Sequence, residues 1–415
     1  MTFLSVLNDD RFIAFLREHP LFAVGLMLLA GYLLARVAGA LRLPEITGFI
    51  LAGLLMGTGG LAILGPGASE ELAVVTEVAL GIIALTIGGE LRLAKLKRMY
   101  RSVAWITCGQ FVLTFAGVAA VLILLSFPPP FALLLGAVAT TTSPAAVIAI
   151  VQSMRARGKF VDHLHGTVAL GDAASIAVFG VILAMMPAML GTAPAADGLI
   201  WRAIVDLAMS VLLGAGIGFL VFATTRRQSN PGEVMILTLG FLFLSTSLAV
   251  SLRFSPLLMN MAAGAAIANL SAGSTRIFRT LEPLTPPVYA LFFVVAGTKL
   301  NPSLLFSPEV LVLGGAFVVA RWIGKYAGAY AGAALGGSGR GIRAWIGAGL
   351  FAQAGVALGL MLLLQAAAEL DQIPGLPLDV VRTATNIVLL SIFVNEITGP
   401  PIAKVAITRA LELEE

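Results

Sequence analysis

The sequence predicts an all-α polytopic membrane protein with about 13 transmembrane helices. Three observations carry this. Of the 415 residues, 59% are hydrophobic and only 12% charged, too little charge to cover a soluble protein of this length. The apolar residues come in runs of about twenty, the length that crosses a hydrocarbon core of roughly 30 Å. Lys and Arg gather in every second connection between the runs, as in a chain threading a membrane back and forth.

In order, the spans read as roughly 20–41, 45–64, 70–92, 101–126, 130–152, 164–190, 200–225, 232–251, 255–270, 283–300, 308–335, 341–368 and 381–408. The breaks carry turn or charge chemistry, as at Arg42-Leu43-Pro44-Glu45, Gly65-Pro66-Gly67, Pro128-Pro129-Pro130, Asn230-Pro231-Gly232 and Gly336-Gly337-Ser338-Gly339. One set of loops holds Arg36, Arg42, Arg92, Lys95, Lys97, Arg98, Arg101, Arg155, Arg157, Lys159, Arg226, Arg227, Arg276, Arg279, Arg340, Arg343, Lys404 and Arg409. The opposite set, with the N-terminus, holds Arg11, Arg17, Arg202, Arg253 and Arg382 among several acids. The positive-inside rule then puts the N-terminus outside and the C-terminus in the cytoplasm. A net charge of +4, scattered over short loops, gives no nucleic-acid surface. Cys108, the one cysteine, reads as an apolar filler, and no disulfide framework exists.

Thirteen spans divide as six, one and six. Residues 1–415 read as one membrane unit, with repeat one over about 20–190, a linker helix over about 200–225 and repeat two over about 232–408. The odd helix between them gives the repeats opposite orientation, an arrangement common in secondary transporters, whose ion site lies near mid-membrane at broken helices. The offset of about 212 residues carries Thr140-Thr141-Thr142-Ser143-Pro144 in the fifth span onto Gln353-Ala354-Gly355 in the twelfth. Both places disfavour regular helix: Pro144 lacks an amide hydrogen, Gln353 is polar and Gly355 is flexible.

The sixth span reads Thr167-Val168-Ala169-Leu170-Gly171-Asp172-Ala173-Ala174-Ser175. A carboxylate inside an apolar helix costs several kcal/mol unless it is hydrated, paired or protonated, and marks a functional site by default. One such group can bind a proton or a cation, which is what exchange by competition requires. Ser175 lies one turn on, and Thr141, Thr142 and Ser143 offer further oxygens. Hard oxygen ligands suit Na⁺, K⁺ or Li⁺ rather than a transition metal. Glu77 and Arg321 read as a buried pair between the third and eleventh spans. Lys325 reads as snorkelling to an interface. Lys299, in Gly297-Thr298-Lys299-Leu300, is a counter-charge for Asp172 or an interfacial lysine. Glu45, Glu90 and Glu396 sit near span ends and need no site. His163 and His165 fall in the basic loop before the sixth span, where an imidazole titrates near neutral pH.

These residues resemble a known family. Pro44-Glu45-Ile46-Thr47-Gly48-Phe49 with Gly53 and Gly57, Glu77-Val78-Ala79-Leu80-Gly81, Ile87-Gly88-Gly89-Glu90-Leu91, Thr140 to Ala146 and Val168 to Ala173 occur in the order and spacing of bacterial sodium:proton antiporters. Those belong to the second branch of the monovalent cation:proton antiporter superfamily. Pro286-Pro287 with Phe292-Phe293, Gln353 to Ala357, and Glu396 with Gly399-Pro400 extend the similarity over nearly the whole chain. The resemblance implies a homodimer in a bacterial inner membrane, no cofactor beyond the transported Na⁺ (or K⁺) and H⁺, and a core domain that moves like an elevator. It also implies crossed, unwound helices at Thr141–Pro144 and Gln353–Gly355, flanking an essential aspartate, here Asp172. Many relatives carry two adjacent acids where this chain has Gly171-Asp172, which points to one proton per cation and electroneutral exchange. Many also carry an acidic or polar residue where this chain has Lys299. Some carry a soluble nucleotide-binding regulatory domain, for which no segment is expected here.

Two other function classes could draw on the same residues. Gly171-Asp172 resembles the Gly-x-Gly-Asp of intramembrane aspartyl proteases, with Ala169 in place of the first Gly. That chemistry needs a second aspartate to share the proton, and Asp206 lies near a helix start. A cation channel could use the same breaks and carboxylate, and lack of proton counter-transport distinguishes it.

Overall fold

In the computed structural model, residues 20–40, 45–57, 60, 73–91, 93–192, 199–252, 254–270, 275–298, 307–369 and 375–413 are described. Their helices, in chain order, are α1 (Pro20–Ala40), α2 (Glu45–Met56), α3 (Ala73–Glu90), α4 (Leu93–Leu124), α5 (Pro129–Ala139), α6 (Pro144–Ser153), α7 (Lys159–Met189) and α8 (Leu199–Thr225). There follow α9 (Pro231–Ser251), α10 (Pro256–Leu270), the short α11 (Thr275–Leu281), α12 (Thr285–Thr298), α13 (Pro308–Leu335), α14 (Arg340–Gly349), α15 (Gly355–Glu369) and α16 (Leu378–Glu412). Among the described residues eight helical spans are long and apolar enough to cross a membrane, and the others are shorter apolar helices. In a bilayer core only structures that satisfy their own backbone survive, which is why so apolar a chain is helical throughout these segments.

Proline sets many of the starts: α1, α5, α6, α9, α10 and α13 all begin at a proline, whose missing N–H falls where a helix has no acceptor for it. The starts also repeat. Pro20 and Pro231, Glu45 and Pro256, Pro129 and Arg340, and Pro144 and Gly355 each begin helices separated by the same 211 residues. The fifth and twelfth predicted spans are each split in two, into α5 with α6 and α14 with α15.

The helices gather into two compact units. Residues 1–82 with 281–311 form the first, and 83–280 with 312–415 the second. In the first, α2 and α12 press backbone to backbone: a Cβ on Gly53 would run into the Val294 carbonyl, and one on Gly297 into that of Ile50. Their seam closes over Ala23, Met27, Ala52, Met56, Val294 and Val295.

In the second unit, α4 and α13 meet in the same way. A Cβ on Gly109 would collide with the Gly328 carbonyl, and the reverse also holds. This approach brings the charged side chains of α13 up to the broken helix α5–α6. An apolar core that includes Ile106, Phe160, Leu164, Ala329, Ile346 and Ile407 fills the same unit. α16 lies against the second break because Gly399 has no side chain: its Cβ would stand 2.7 Å from the Ala352 Cα.

Candidate ion-binding site

The two breaks are local consequences of sequence. α5 ends at Ala139, Thr140 turns, and Thr141–Ser143 are non-helical before Pro144 opens α6. A residue before proline is pushed out of the helical region, and Ser143 sits at φ −80° and ψ 105°. Its hydroxyl then caps α6, accepting from Ala146 N at 3.3 Å. In the second break α14 ends at Gly349, residues 351–354 are non-helical and Gly355 opens α15. Both breaks thus end one residue earlier than predicted, because Pro144 and Gly355 are the first residues of the new helices. The breaks touch: Ser143 N donates to the Ala352 carbonyl at 3.0 Å, and Gln353 Nε2 donates to the Val138 carbonyl at 3.1 Å.

A broken helix leaves carbonyls without their i+4 amide, and these need other donors. α13 supplies them. Arg321 and Lys325, one turn apart and on one face, are both completely buried. Arg321 donates through Nε to Ala139 O at 3.0 Å, through Nη2 to Thr141 O at 2.9 Å, and through Nη1 to Phe351 O at 2.7 Å and Asn395 Oδ1 at 3.1 Å. One guanidinium therefore ties both breaks together. Lys325 Nζ donates to Thr140 O at 2.8 Å, Thr142 Oγ1 at 2.7 Å and Gln110 Oε1 at 3.3 Å. Two cations at the C-terminus of α5 also meet the negative end of its dipole.

Asp172 faces the other end of the same break. It is fully buried, and its Oδ1 accepts from Thr142 N at 3.0 Å, at the amide-rich start of α6. Its Oδ2 is buried with no hydrogen-bond partner among the described residues. The charges of Lys325 and Arg321 act on this carboxylate, yet among the described residues neither forms an ion pair with it. A buried carboxylate with one oxygen unmatched is poised for a proton or a small cation. Next to it, Gln110 fills the space beside Gly171, where a Cβ would come 3.1 Å from Nε2.

The structure brings Thr141, Thr142, Ser143, Pro144, Gly171, Asp172, Ser175, Arg321, Gln353 and Gly355 to the two breaks and the helices that brace them. Most of the predicted oxygens already have duties. Thr141 Oγ1 donates to Val138 O at 2.8 Å and accepts from Gln353 at 3.3 Å. Ser175 Oγ donates to Gly171 O at 2.7 Å and lies 2.5 Å from Thr140 Oγ1. Gln353 Oε1 accepts from Ser391 Oγ at 2.8 Å.

Four expectations are corrected. Glu77 is not buried, as the predicted pair required: it is exposed, and the donors of Arg321 are engaged by oxygens of its own unit. Lys325 does not snorkel, because the carbonyl and hydroxyl acceptors of the first break hold it inside. Glu396 is not at a span end. It lies midway along the 35-residue α16, is 4% exposed, and its Oε1 has no partner among the described residues. His163 and His165 lie within α7, not in a loop: His163 is buried and its Nδ1 meets Lys159 O at 2.7 Å. Lys299 falls outside the described residues, as does the side chain of Glu90. Sequence reasoning missed Gln110, Ser391 and Asn395. The i, i+4 pairs Arg321/Lys325 and Ser391/Asn395, each on one face of an apolar helix, were the available signal.

Comparison with known proteins gives a consistent result. The family described as sodium/hydrogen exchanger, transmembrane, matches residues 24–405. A relative named Na⁺/H⁺ antiporter NhaP from Pseudomonas aeruginosa is 27% identical over 300 residues, covering 69% of this chain and 68% of its own length. Na⁺/H⁺ antiporter NhaS2 from Synechocystis is 24% identical over 311 residues, and the alignment spans 72% of this chain and 56% of the relative. The solved structure of the sodium proton antiporter MjNhaP1 from Methanocaldococcus jannaschii at pH 8 superposes with a TM-score of 0.77 at 20% identity, covering 95% of this chain and 98% of that one. That likeness fixes the fold.

Proposed function

Because the chain belongs to the sodium/hydrogen exchanger family, we propose that it exchanges a monovalent cation, Na⁺ first, for protons across a lipid bilayer. The carrying observation is Asp172, fully buried at a helix break with Oδ1 bonded and Oδ2 unmatched among the described residues. A proton on Oδ2 satisfies that oxygen. So does a Na⁺ shared between Oδ2 and lone pairs of the Thr141, Thr142, Ser143 and Ser175 hydroxyls. Both cannot sit there together, and that exclusion is the coupling. Lithium and potassium are held by the same oxygen chemistry, with cavity size selecting among them.

Arg321, Lys325 and Gln353 bind the breaks together within one of the two units. The site can therefore travel as a body, which supports elevator-type alternating access in a homodimer. The proposed setting is a bacterial inner membrane, with the N-terminus outside and the basic loops cytoplasmic. The proposed organisation is one transport unit of two inverted repeats joined by α8, supported by the constant offset of 211 residues between helix starts.

With a single acid at Gly171-Asp172, one proton per cation makes exchange electroneutral, Lys325 acting as a fixed charge. Buried Lys325 favours a second reading, in which it also gives up a proton and exchange carries current.

The test is a liposome with a trapped pH dye and an imposed proton gradient, to which Na⁺, K⁺ or Li⁺ is added, with Asp172→Asn alongside. Collapse of the gradient by one cation in the parent alone supports the reading and names the ion. Equal activity of parent and mutant removes Asp172 from the mechanism. A transport current scaling with the proton gradient replaces the electroneutral stoichiometry with the second reading.

A further inference from the structure

Asp172 has two buried cations for neighbours and, among the described residues, pairs with neither. Arg321 directs its donors to the carbonyls of the breaks and to Asn395. An ammonium has three N–H donors, and Lys325 meets three oxygens: Thr140 O at 2.8 Å, Thr142 Oγ1 at 2.7 Å and Gln110 Oε1 at 3.3 Å. Thr142 stands between the two charges. Its hydroxyl accepts from Lys325, and its N–H donates to Asp172 Oδ1 at 3.0 Å. The ammonium is thus one residue away from a carboxylate whose Oδ2 has no hydrogen-bond partner among the described residues. Coulomb attraction draws the two charges together, and the acceptor set holds them apart. Two of its three members belong to the first break. The third, Gln110, is brought in by α4, and the glycine seam with α13 fixes its place: a Cβ on Gly328 would stand 2.7 Å from the Gln110 Cα, and one on Gly324 2.6 Å from the Thr114 Cα. On the other side Gly171 leaves the room that the amide occupies, since a Cβ there would come 3.1 Å from Nε2. The buried Gln110 side chain is therefore wedged between Lys325 of α13 and the residue before Asp172 on α7.

We infer that Gln110 is a positioning residue for cation binding: it holds the Lys325 ammonium against the break and so keeps Asp172 open to Na⁺. The inference rests on the reading of Asp172 as the cation site. Without the Gln110 carbonyl, one N–H of a fully buried ammonium loses its acceptor, and leaving a charged donor unmatched is costly. The strongest unused acceptor beside it is Asp172 Oδ2. An ammonium seated there must be displaced by every incoming cation. A hydrogen bond between charged groups of this kind weakens Na⁺ binding roughly ten- to hundredfold. Gln110 carries no charge and needs no contact with the ion; its effect passes through Lys325.

The experiment reads Na⁺ affinity twice at pH 8, where proton competition is low. One reading is the apparent KM in the same dye-loaded liposomes. The other is the rise of the melting temperature with Na⁺ concentration in detergent, which reports binding without transport. Gln110→Leu keeps the bulk and loses the acceptor. It is expected to weaken Na⁺ by that factor in both readings while the maximal rate at saturating Na⁺ stays near the parental value. A merely structural role would lower the maximal rate and the Na⁺-free melting temperature without singling out the KM. Gln110→Glu keeps the acceptor and holds the ammonium more firmly, so it is expected to bind Na⁺ as the parent does or more tightly. Lys325→Met, alone and with Gln110→Leu, closes a double-mutant cycle: with the ammonium gone, loss of Gln110 is expected to change Na⁺ affinity no further. Where Lys325→Met does not elute as folded protein, the contrast between Gln110→Leu and Gln110→Glu decides. Parental affinity in Gln110→Leu, or equal weakening in Gln110→Leu and Gln110→Glu, refutes the inference and, with Asp172→Asn inactive, leaves the cation site standing. So does an equal effect of Gln110→Leu with and without Lys325, which puts Gln110 on the ion instead of on the lysine. Absence of any Na⁺-dependent melting shift in the parent overturns the cation site and this inference together.

Discussion

Replacing Arg321 by Met keeps an unbranched apolar stem and removes every donor. Four acceptors lose their partner: the carbonyls of Ala139, Thr141 and Phe351, and Asn395 Oδ1. Hydrogen bonds inside membrane proteins are worth about 0.6 kcal/mol on average and about 1.7 at most, so the four come to about 2–7 kcal/mol. The upper part of that range is favoured, because these carbonyls are buried at breaks and have no helical amide to fall back on. At roughly 2 °C per kcal/mol for a unit of a few hundred residues, the melting temperature in detergent should fall by about 5–14 °C. Arg321→Lys should recover only part of this, since one ammonium cannot span acceptors that lie on both breaks. Thermal unfolding followed by tryptophan fluorescence reads the shift, and the exchange assay reads the site. If Arg321→Met melts within 1–2 °C of the parent and transports at the parental rate, the guanidinium does not hold the breaks together, and the account of their crossing is wrong.

Further expectations follow from the same contacts. Gly328→Val pushes a branched side chain into the Gly109 carbonyl. It should abolish folded protein on size-exclusion chromatography, whereas Gly315→Ala, with open space around its Cβ, should elute and melt like the parent. Glu396→Gln removes a buried carboxylate whose Oε1 has no partner among the described residues. At pH 8 the melting temperature should stay level or rise, and a fall of more than 5 °C would show that the carboxylate has a structural partner after all. For the parent, the apparent KM for Na⁺ should increase as pH falls, because protons and cations contend for one carboxylate; a pH-independent KM with a changing maximal rate would speak against competition.

Much of this protein was legible in its sequence because a bilayer permits so few solutions. A chain this apolar must satisfy its backbone internally, so the runs of about twenty residues had to be helices, and Pro128 to Pro130, Asn230-Pro231 and the glycine cluster at 336–339 had to separate them. Asp172 was conspicuous for the same reason, as was the Thr-Thr-Thr-Ser-Pro break, since proline removes a donor wherever it stands. The partners were not legible. Nothing in the order of residues tells Lys325, which looks free to reach an interface, that three acceptors, two from the first break and one from α4, will surround it. Nor does it tell Arg321 that the carbonyls of two breaks, some 210 residues apart, will take up its donors. Those assignments depend on where α13 sits, and that is set by the close glycine seam with α4, an approach between backbones that only the folded chain defines. In sequence His165 reads as a loop histidine because the basic turn and the start of α7 are alike in composition. Only the packing of α6 against α7 shows it inside a helix, beside a narrow cleft.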